Sequence, residues 1–248
     1  NNVVEIIGVS KSFGSHVVLD NVSLKVEVGE NMVVFGQSGT GKSVLLKCIV
    51  RLLEPDSGEI FIEGTDVLKL QIKELNEIRK QLGFLFQGAA LYDSMSVKEN
   101  LEFPLIRHFN FTPKEREEKV KSVLEKVSLE EAINKMPSEL SGGMKKRIGL
   151  ARSIIAEPKL MLYDEPTTGL DPITSKEISS LILELQKSLK MTSIVVTHDL
   201  LCAEIIADRA IVLNEGAVQH SGTITELTTA RDPFVRNFFS HEIIEEQN

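Results

Sequence analysis

Apolar residues along this chain fall into short runs that alternate with stretches of helical periodicity. β-Branched residues crowd Val3–Val9 and Val22–Val28, which predict short β-strands, and Asn31–Phe35 predicts a third strand that runs directly into glycine-rich sequence. Lys42–Leu53 predicts a helix, which the breaker segment Pro55–Gly58 closes. We therefore expect β-structure up to the first glycine cluster and a helix just after it.

The middle of the chain has a different pattern. Strands are predicted at Glu59–Glu63 and Gly83–Phe86, with a helix at Lys69–Lys80 between them. From about Gly88 to Pro158 only helical periodicity remains, and the predicted helices are Val97–Leu105, Lys114–Val127 and Met144–Ala156. This stretch contains no convincing strand, so it predicts a helical insertion into an α/β core.

Strands and helices alternate again in the last third. Leu160–Tyr163 and Ser193–Thr197 have the continuous apolar character of buried parallel strands, and Asp171-Pro172 supplies an N-cap and an N1 proline for the helix between them. Ala210–Leu213 and Ala217–His220 predict a hairpin. We expect a single domain over 1–248, with an α/β core in 1–87 and 159–240, a helical subdomain in 88–158 and an acidic tail in 241–248.

Composition and charge narrow the classes of protein. The chain is 42% hydrophobic and 26% charged, and its net charge of −8 disfavours broad binding to nucleic acid, which needs clustered basic residues. The basic group Lys145–Arg147 is short and is interpreted as a solvated helix face. Because no apolar run approaches the roughly 18 residues of a membrane span, and no signal pattern opens the chain, membrane contact is expected only through a partner.

The two cysteines, Cys48 and Cys202, have no metal-ligand spacing. Cys48 lies in the apolar run Val44–Val50, so we expect it to be a buried small hydrophobic residue. Two separate cysteines fit a reducing cytosolic compartment.

The first glycine cluster matches the phosphate-loop pattern G-x-x-x-x-G-K-[ST] in full. Its members are Gly36, Gln37, Ser38, Gly39, Thr40, Gly41, Lys42 and Ser43. Backbone N–H groups and the following helix N-terminus favour phosphate, Lys42 would reach the β- and γ-phosphates, and the Ser43 hydroxyl would ligate Mg²⁺. The alternative is a glycine-rich strand-to-helix turn with an exposed lysine. The strand before the loop and the helix after it favour nucleotide binding, without choosing among phosphate-loop NTPases.

Two adjacent carboxylates, Asp164 and Glu165, end the predicted strand Leu160–Tyr163. A buried strand that delivers a carboxylate at its C-terminal end suits a Mg²⁺ site facing a phosphate loop. The pair suggests that Asp164 holds the Mg²⁺ shell while Glu165 polarises the attacking water. An acidic strand end that caps a following helix is the alternative.

A second anion site is predicted at Leu140–Met144. The N–H groups of Gly142 and Gly143, the Ser141 hydroxyl and the dipole of the following helix all favour a negative ligand. Two phosphate-binding surfaces on one chain are odd for a single nucleotide. They make sense if two chains associate head to tail, so that Ser141–Gly143 caps the nucleotide held by the other copy.

The order of these elements resembles the ABC ATPase family over essentially the whole chain: phosphate loop, Leu-Ser-Gly-Gly, an apolar strand ending in Asp-Glu, and a strand ending in histidine. The resemblance implies that Phe13 stacks on adenine, that Gln87 senses Mg²⁺ and the transporter, and that Glu165 is the catalytic glutamate. It also implies that Asp171 belongs to a loop crossing the dimer interface and that His198 contacts the γ-phosphate. Singly, Phe13, Gln87 and His198 are ordinary packing or polar positions, and only the ordered set gives them these roles.

Three segments look most like ATPases of the Mla and Mce type. They are Phe84–Tyr92, Leu140–Arg152 and Tyr163–Pro172. This resemblance implies a permease partner that moves phospholipids or other hydrophobic molecules in the envelope of diderm bacteria or in plastids. One departure is Met144, where the family most often has glutamine, and it leaves the phosphate-binding residues before it unchanged.

The resemblance implies an α/β fold with a P-loop NTPase (RecA-like) core, N-terminal antiparallel strands and an inserted helical subdomain. It further implies Mg-ATP as cofactor, a homodimer, and a transmembrane permease that holds the chain at the cytoplasmic face of the inner membrane. An importer ATPase for amino acids, metals or anions is the main alternative. An ABC-type ATPase acting on nucleic acid or ribosomes fits less well, because such proteins carry coiled-coil insertions or tandem domains. A P-loop switch or kinase is disfavoured by Leu140–Met144.

Overall fold

The computed structural model describes residues 2–230 and residue 235. These residues form two compact units, one running to Leu75 and resuming at Thr192, the other spanning Asn76–Met191. The acidic tail predicted at 241–248 lies outside the described residues. The predicted subdomain boundaries near residues 88 and 158 remain a prediction.

Ten strands and eight α-helices are described. In chain order they are β1 (Asn2–Phe13), β2 (His16–Glu27), β3 (Asn31–Phe35), α1 (Lys42–Ile49), β4 (Ser57–Ile62), β5 (Thr65–Asp66), α2 (Ile72–Arg79), β6 (Leu82–Leu85), α3 (Val97–His108), α4 (Pro113–Lys126), α5 (Gly142–Ile154), β7 (Leu160–Asp164), α6 (Pro172–Leu189), β8 (Thr192–Thr197), α7 (Leu200–Ile206), β9 (Arg209–Asn214), β10 (Ala217–Gly222) and α8 (Ile224–Thr228). Short 3-10 helices occupy Glu130–Ala132 and Pro137–Glu139.

The first unit begins with an antiparallel sheet of order β2-β1-β4-β5. β1 and β2 are 12 residues each, so the prediction of short strands was wrong about their length. Glu5 and Lys25 form a cross-strand ion pair at 2.7 Å within the β-branched runs. Beyond those runs the ladder continues through pairs such as Lys11 with Leu19. Several register shifts accommodate the irregular positions.

A second sheet in the first unit has the strand order β10-β9-β3-β8. β3 pairs in parallel with both β8 and β9, and all residues of β3 and β8 are buried, as expected for strands covered on both faces. Phe35, at the end of β3, pairs with Thr197 at the end of β8. The chain segments that follow these two strands therefore leave the sheet at the same edge.

The second unit contains two parallel strands and four long helices. β6 pairs with β7, with Leu85 opposite Tyr163, and every residue of β7 is buried. α3 and α4 each begin with a capping box, in which a hydroxyl at the N-cap and a glutamate three residues later satisfy each other's backbone N–H groups. The structure describes no strand between residues 88 and 158, in agreement with the predicted helical stretch.

Some helix boundaries differ from the prediction. α1 stops at Ile49 instead of Leu53, because Arg51 has a left-handed backbone (φ 52°) that ends the helix. Two short helices were not predicted, α7 and α8. Asp199 caps α7, and Thr223 with Glu226 forms a capping box for α8, so both had a readable N-terminal signal. Among the described helices, none is long and apolar enough to cross a membrane.

Candidate functional site

The predicted phosphate loop connects β3 to α1, and two of its glycines are sterically required. A Cβ at Gly36 would collide with the carbonyl oxygen of Leu213 and lie 2.8 Å from the Thr40 hydroxyl. Gly41 has φ 97°, and a Cβ there would lie 2.6 Å from the carbonyl oxygen of Val18. Only glycine fits a backbone with these neighbours. Gly41 is also the N-cap of α1 and has no side chain to cover the first-turn N–H groups.

Lys42 is the first residue of α1 and only 4% exposed. Its ammonium donates hydrogen bonds to the carbonyl oxygens of Gly36 (2.6 Å) and Gln37 (2.8 Å). The Thr40 hydroxyl also donates to Gln37 O, at 2.9 Å. The ammonium of Lys42 therefore lies against the phosphate loop. Its burial disagrees with the alternative interpretation, which expected an exposed lysine.

Three other residues predicted for the site lie in the first unit: Ser43, His198 and Phe13. Ser43 is half-buried in the first turn of α1, and His198 is exposed directly after β8. Because Phe35 pairs with Thr197, the loop and His198 both follow the carboxyl ends of neighbouring parallel strands. Phe13, at the end of β1, is 49% exposed with the Lys11 ammonium 5.6 Å from its ring centroid. An exposed ring at a hairpin end has a face available for stacking.

In the second unit, Asp164 and Glu165 are 5% and 8% exposed at the carboxyl end of β7. Glu165 has a left-handed backbone (φ 48°), which is uncommon for a residue with a side chain. Thr168 holds this turn, since its backbone N–H donates to Glu165 O and its hydroxyl to Glu165 Oε2, each at 3.3 Å. Neither carboxylate caps the next helix, α6, whose N-cap is Asp171.

Gln87 follows β6, and the pairing of Leu85 with Tyr163 places it at the same edge as Asp164. The segment after it has unusual backbone geometry, because Ala89 and Ala90 have φ angles of 59° and 50°. Left-handed alanines are strained, so this conformation needs support from the surrounding structure.

Lys146 supplies part of that support, and sequence reasoning missed it. The interpretation of Lys145–Arg147 as a solvated face was wrong for Lys146, which is 6% exposed. Its ammonium donates to the backbone carbonyl oxygens of Gln87 and, at 3.4 Å, Glu165. Burial lowers the pKa of Lys146, and the carboxylates of Glu165 and Asp164 partly offset that lowering. A signal was present, because Lys146 lies in one i, i+4 row with the buried residues Leu150 and Ile154.

The predicted second anion site forms the N-terminus of α5. Ser141 is the N-cap, and its side chain accepts a hydrogen bond from Met144 N at 3.3 Å. A Cβ at Gly143 would lie 2.9 Å from Thr174 Cγ2, whereas the nearest described neighbour of a Cβ at Gly142 would be Leu170, at 3.7 Å. Ser141 and Gly142 are exposed, so the first turn of this 13-residue helix is accessible.

Asp171 lies beside this helix terminus and caps α6. Its carboxylate accepts from the backbone N–H groups of Ile173 (3.1 Å) and Thr174 (3.0 Å) and from the Thr174 hydroxyl (2.6 Å). These bonds, chiefly those from Thr174, lower the pKa of the Asp171 carboxyl. Capping accounts for Asp171 locally, and a role at a dimer interface remains a prediction.

Comparison with known proteins agrees with this arrangement. A family model described as ABC transporter matches residues 19–168. The chain is 40% identical over 237 residues to a probable ribonucleotide transport ATP-binding protein of Mycobacterium leprae, covering 96% of this chain and 68% of that protein. It is also 40% identical over 241 residues to the intermembrane phospholipid transport system ATP-binding protein MlaF of Haemophilus influenzae, covering 97% and 91%.

A further relative is the methionine import ATP-binding protein MetN of Carboxydothermus hydrogenoformans, 39% identical over 234 residues, with 92% of this chain and 69% of that protein covered. The chain thus spans about two thirds of the length of the mycobacterial and methionine-import relatives. Among solved structures, a dimeric ATP-binding cassette in a post-hydrolysis state with ADP and Pi matches with a TM-score of 0.82 and 33% identity, covering 89% of this chain and 98% of that chain.

These matches confirm the predicted fold class, an α/β P-loop NTPase core with N-terminal antiparallel strands, and the family that the motifs indicated. The chain belongs to the ABC transporter family and is an ATPase of that family.

Proposed function

We propose that this chain powers a membrane permease that moves phospholipid or another hydrophobic molecule across a cell envelope. The observation that carries the proposal is the match to the phospholipid-transport protein MlaF, which extends over 97% of this chain and 91% of that relative. The segments Phe84–Tyr92, Leu140–Arg152 and Tyr163–Pro172 support it as well, because they resemble ATPases of that type.

In this proposal the phosphate loop binds the triphosphate of ATP. Gly36 and Gly41 leave no room for a side chain, so the backbone N–H groups of the loop can approach phosphate oxygens closely. Lys42 exchanges its carbonyl partners for the β- and γ-phosphates, and the exposed ring of Phe13 stacks on adenine. Gln37, Ser38, Gly39 and Thr40 complete the loop.

The residues proposed to hold Mg²⁺ are Ser43, Gln87 and Asp164. Their hydroxyl, carboxamide and carboxylate oxygens are the hard donors that this ion takes in proteins. When bound, the ion would neutralise charge on the phosphate oxygens.

Hydrolysis needs a base for water and positive groups for the developing charge. We assign the first role to Glu165, which the buried end of β7 and the bonds from Thr168 hold in one orientation. Lys42 and His198 stabilise charge on the γ-phosphate. Gln87 completes the set of residues with a catalytic role.

The accessible N-terminus of α5 supports a head-to-tail homodimer. Ser141, Gly142 and Gly143 would bind the γ-phosphate of the nucleotide held by the second copy, with Asp171 at the interface between the copies. ATP then favours the closed dimer because it contacts both copies only in that state.

The permease is proposed to dock near Gln87–Tyr92 and to hold the chain at the cytoplasmic face of the inner membrane. The exposed ring of Tyr92, which packs against Phe103 with centroids 4.9 Å apart, offers an apolar contact there. A substrate-binding or regulatory subunit would complete such a transporter, and no direct contact with nucleic acid is proposed for a chain of net charge −8.

A second candidate is the ATPase of an importer for a polar nutrient, which the match to the methionine-import protein MetN favours. Purification of the chain with its native permease in a mild detergent separates the two. Mass spectrometry of the extract should find bound phospholipid above the level carried by an unrelated permease. A polar amino acid bound in stoichiometric amount, without lipid enrichment, would favour the importer.

The catalytic assignment is tested with Glu165→Gln. The amide keeps the size of the side chain but cannot take a proton from water, so we expect ATP affinity to be retained while turnover falls by about 10²–10⁴. The stalled protein should run as a closed dimer with ATP in size-exclusion chromatography. Glu184→Gln, an exposed position on α6, is the control and should behave like the parent. Parental turnover in Glu165→Gln would refute the role of Glu165.

A further inference from the structure

Helix α5, which starts at the second anion site, also donates hydrogen bonds to the segment after β6 and to the turn after β7. Lys146 lies one turn into α5, and its ammonium bonds the backbone carbonyl oxygens of Gln87 and Glu165. These two acceptors are 59 and 19 residues away along the chain. One buried cation therefore connects the segment after β6 with the turn after β7.

A second residue of α5 also donates a hydrogen bond to the segment after β6, two residues beyond Gln87. Arg152, also on α5, donates to the carbonyl oxygen of Ala89 at 3.1 Å and lies 5.7 Å from the ring centroid of Tyr92. Burial lowers the pKa of Arg152, as expected for a cation enclosed against this loop. The segment that contains the left-handed residues Ala89 and Ala90 is thus bonded to α5 at two carbonyl oxygens, those of Gln87 and Ala89.

The turn after β7 has a comparable arrangement. Glu165 O accepts from Lys146 and also from the backbone N–H of Thr168, while Thr168 bonds the carboxylate of Glu165 through its hydroxyl. Movement of the Lys146 ammonium would therefore change the backbone from which the Glu165 carboxylate projects. A carbonyl that lost this donor inside the protein would be left with poorer hydrogen bonding, which is unfavourable.

We propose that Lys146 is a positioning residue that couples Gln87 to Glu165, so that displacement of the Gln87–Tyr92 segment changes the orientation of the Glu165 carboxylate. The coupling rests on the proposed function, because it gives Glu165 the hydrolytic role and the Gln87–Tyr92 segment the permease contact. It differs from ordinary core packing in one respect: the ammonium donates to backbone carbonyls on two separate segments, and each carbonyl belongs to a residue proposed to act on the nucleotide.

The test compares Lys146→Met, which keeps the length of the side chain but removes its donors, with Lys146→Arg and with Lys145→Met. Lys145 is exposed on the same helix, so its variant makes the same charge change without touching either segment. The first readout is amide hydrogen exchange of the 248-residue chain without nucleotide or metal. It follows Ala89 N–H, bonded to Phe86 O at 2.9 Å, and Thr168 N–H, bonded to Glu165 O at 3.3 Å.

We expect both amides to exchange about tenfold faster in Lys146→Met than in the parent, while amides of α4 exchange at the parental rate. Lys145→Met should match the parent at all of these amides. Parental exchange at Ala89 and Thr168 in Lys146→Met, or faster exchange at only one of them, would overturn the coupling. If Lys146→Met does not fold, Lys146→Gln provides the same comparison with a side chain too short to reach both carbonyls.

The second readout is the steady-state ATPase rate. A misplaced carboxylate slows chemistry without weakening nucleotide binding, so kcat should fall about 10–100-fold in Lys146→Met while KM for ATP changes less than about threefold. Lys146→Arg retains charged donors and should recover most of the rate. A raised KM with unchanged kcat, or a folded Arg variant as slow as the Met variant, would contradict the proposal.

The two proposals fail separately. Parental turnover of Glu165→Gln would refute the proposed hydrolytic role whatever the Lys146 variants do. Parental exchange and turnover of Lys146→Met, beside a stalled Glu165→Gln, would refute the positioning role alone.

Discussion

Each of the two compact units buries the ammonium group of a lysine, and the partners of the two groups differ in kind. In the first unit Lys42 donates to Gly36 O and Gln37 O, six and five residues away in its own loop. In the second unit Lys146 donates to Gln87 O and Glu165 O, on two segments far from it in sequence. Both side chains are less than a tenth exposed.

This difference indicates that the Lys42 ammonium can exchange its hydrogen-bond partners, whereas the Lys146 ammonium holds two separate segments in position. Gly36 O and Gln37 O belong to one short loop, so we expect the ammonium to leave them for a phosphate through local rearrangement of that loop. Movement of Lys146 would release two segments at once. We therefore expect substitution of Lys42 to affect nucleotide binding and catalysis, and substitution of Lys146 to affect catalysis through position.

The largest effect in this comparison is expected for Lys42→Met. It removes the charge proposed to contact the β- and γ-phosphates, so kcat/KM for ATP hydrolysis should fall by about 10³-fold or more. ATP affinity, measured by titration calorimetry, should fall as well, unlike the result expected for Lys146→Met. Lys47→Met, on the same helix, is the control for loss of one positive charge. Unchanged ATP affinity in Lys42→Met would make the two lysines equivalent and contradict the distinction.

Alanine substitution should destabilise the protein at Gly41, in the first unit, and have little effect at Gly142, in the second. Gly41→Ala places a Cβ 2.6 Å from Val18 O at φ 97°, so we expect it to lower the free energy of unfolding by about 2–4 kcal/mol. Among the described residues, the Cβ of Gly142→Ala meets nothing closer than 3.7 Å, and alanine is a better helix former than glycine. The unfolding midpoint of this variant should therefore stay within about 2 °C of the parent. Denaturant and thermal unfolding without nucleotide measure both. Equal stability of the two variants would show that the Gly41 backbone is not constrained as described.

The contrast also shows how far sequence reasoning reached. Lys42 was predicted because it belongs to one contiguous motif, G-x-x-x-x-G-K-[ST]. The buried strands β3, β7 and β8 were predicted because covered parallel strands have continuous apolar runs. Lys146 was missed because its partners are 59 and 19 residues away, and its basic neighbours resemble a solvated face. The full length of β1 and β2 was missed for a related reason, since polar residues on an exposed sheet face carry no apolar signal.

The left-handed backbones of Ala89, Ala90 and Glu165 were equally beyond prediction. Alanine and glutamate have no intrinsic preference for this conformation, which depends on contacts made after folding. Gln87 and Glu165 could be chosen from their motifs. The helix α5 was predicted too, but its hydrogen bonds to the backbones of these two residues were not.

The smallest expected effect concerns Asp171, beside the second anion site. Hydrogen bonds from Thr174 lower its carboxyl pKa below the unfolded value of about 3.9, so its stabilising contribution is full above that pH and is lost as pH falls through the folded pKa. Asp171→Ala should therefore be less stable than the parent at pH 7, and the difference should shrink below about pH 4. Thermal unfolding at several pH values measures this. Asp171→Asn is the control, because it keeps a capping oxygen but does not titrate. If the difference in thermal stability between the parent and Asp171→Ala did not vary with pH, the ionised carboxylate would not be the stabilising group.

In the proposed dimer, each ATP is bound by the phosphate loop of one copy and by Ser141–Gly143 of another. The most direct test mixes two inactive chains, Lys42→Met and Ser141→Arg, under conditions where copies exchange. A mixed dimer contains one site with an intact loop and an intact Ser141, so random pairing should restore up to about a quarter of parental ATPase activity. Activity no greater than the sum of the two variants measured alone would show that the two copies do not share a site in this way.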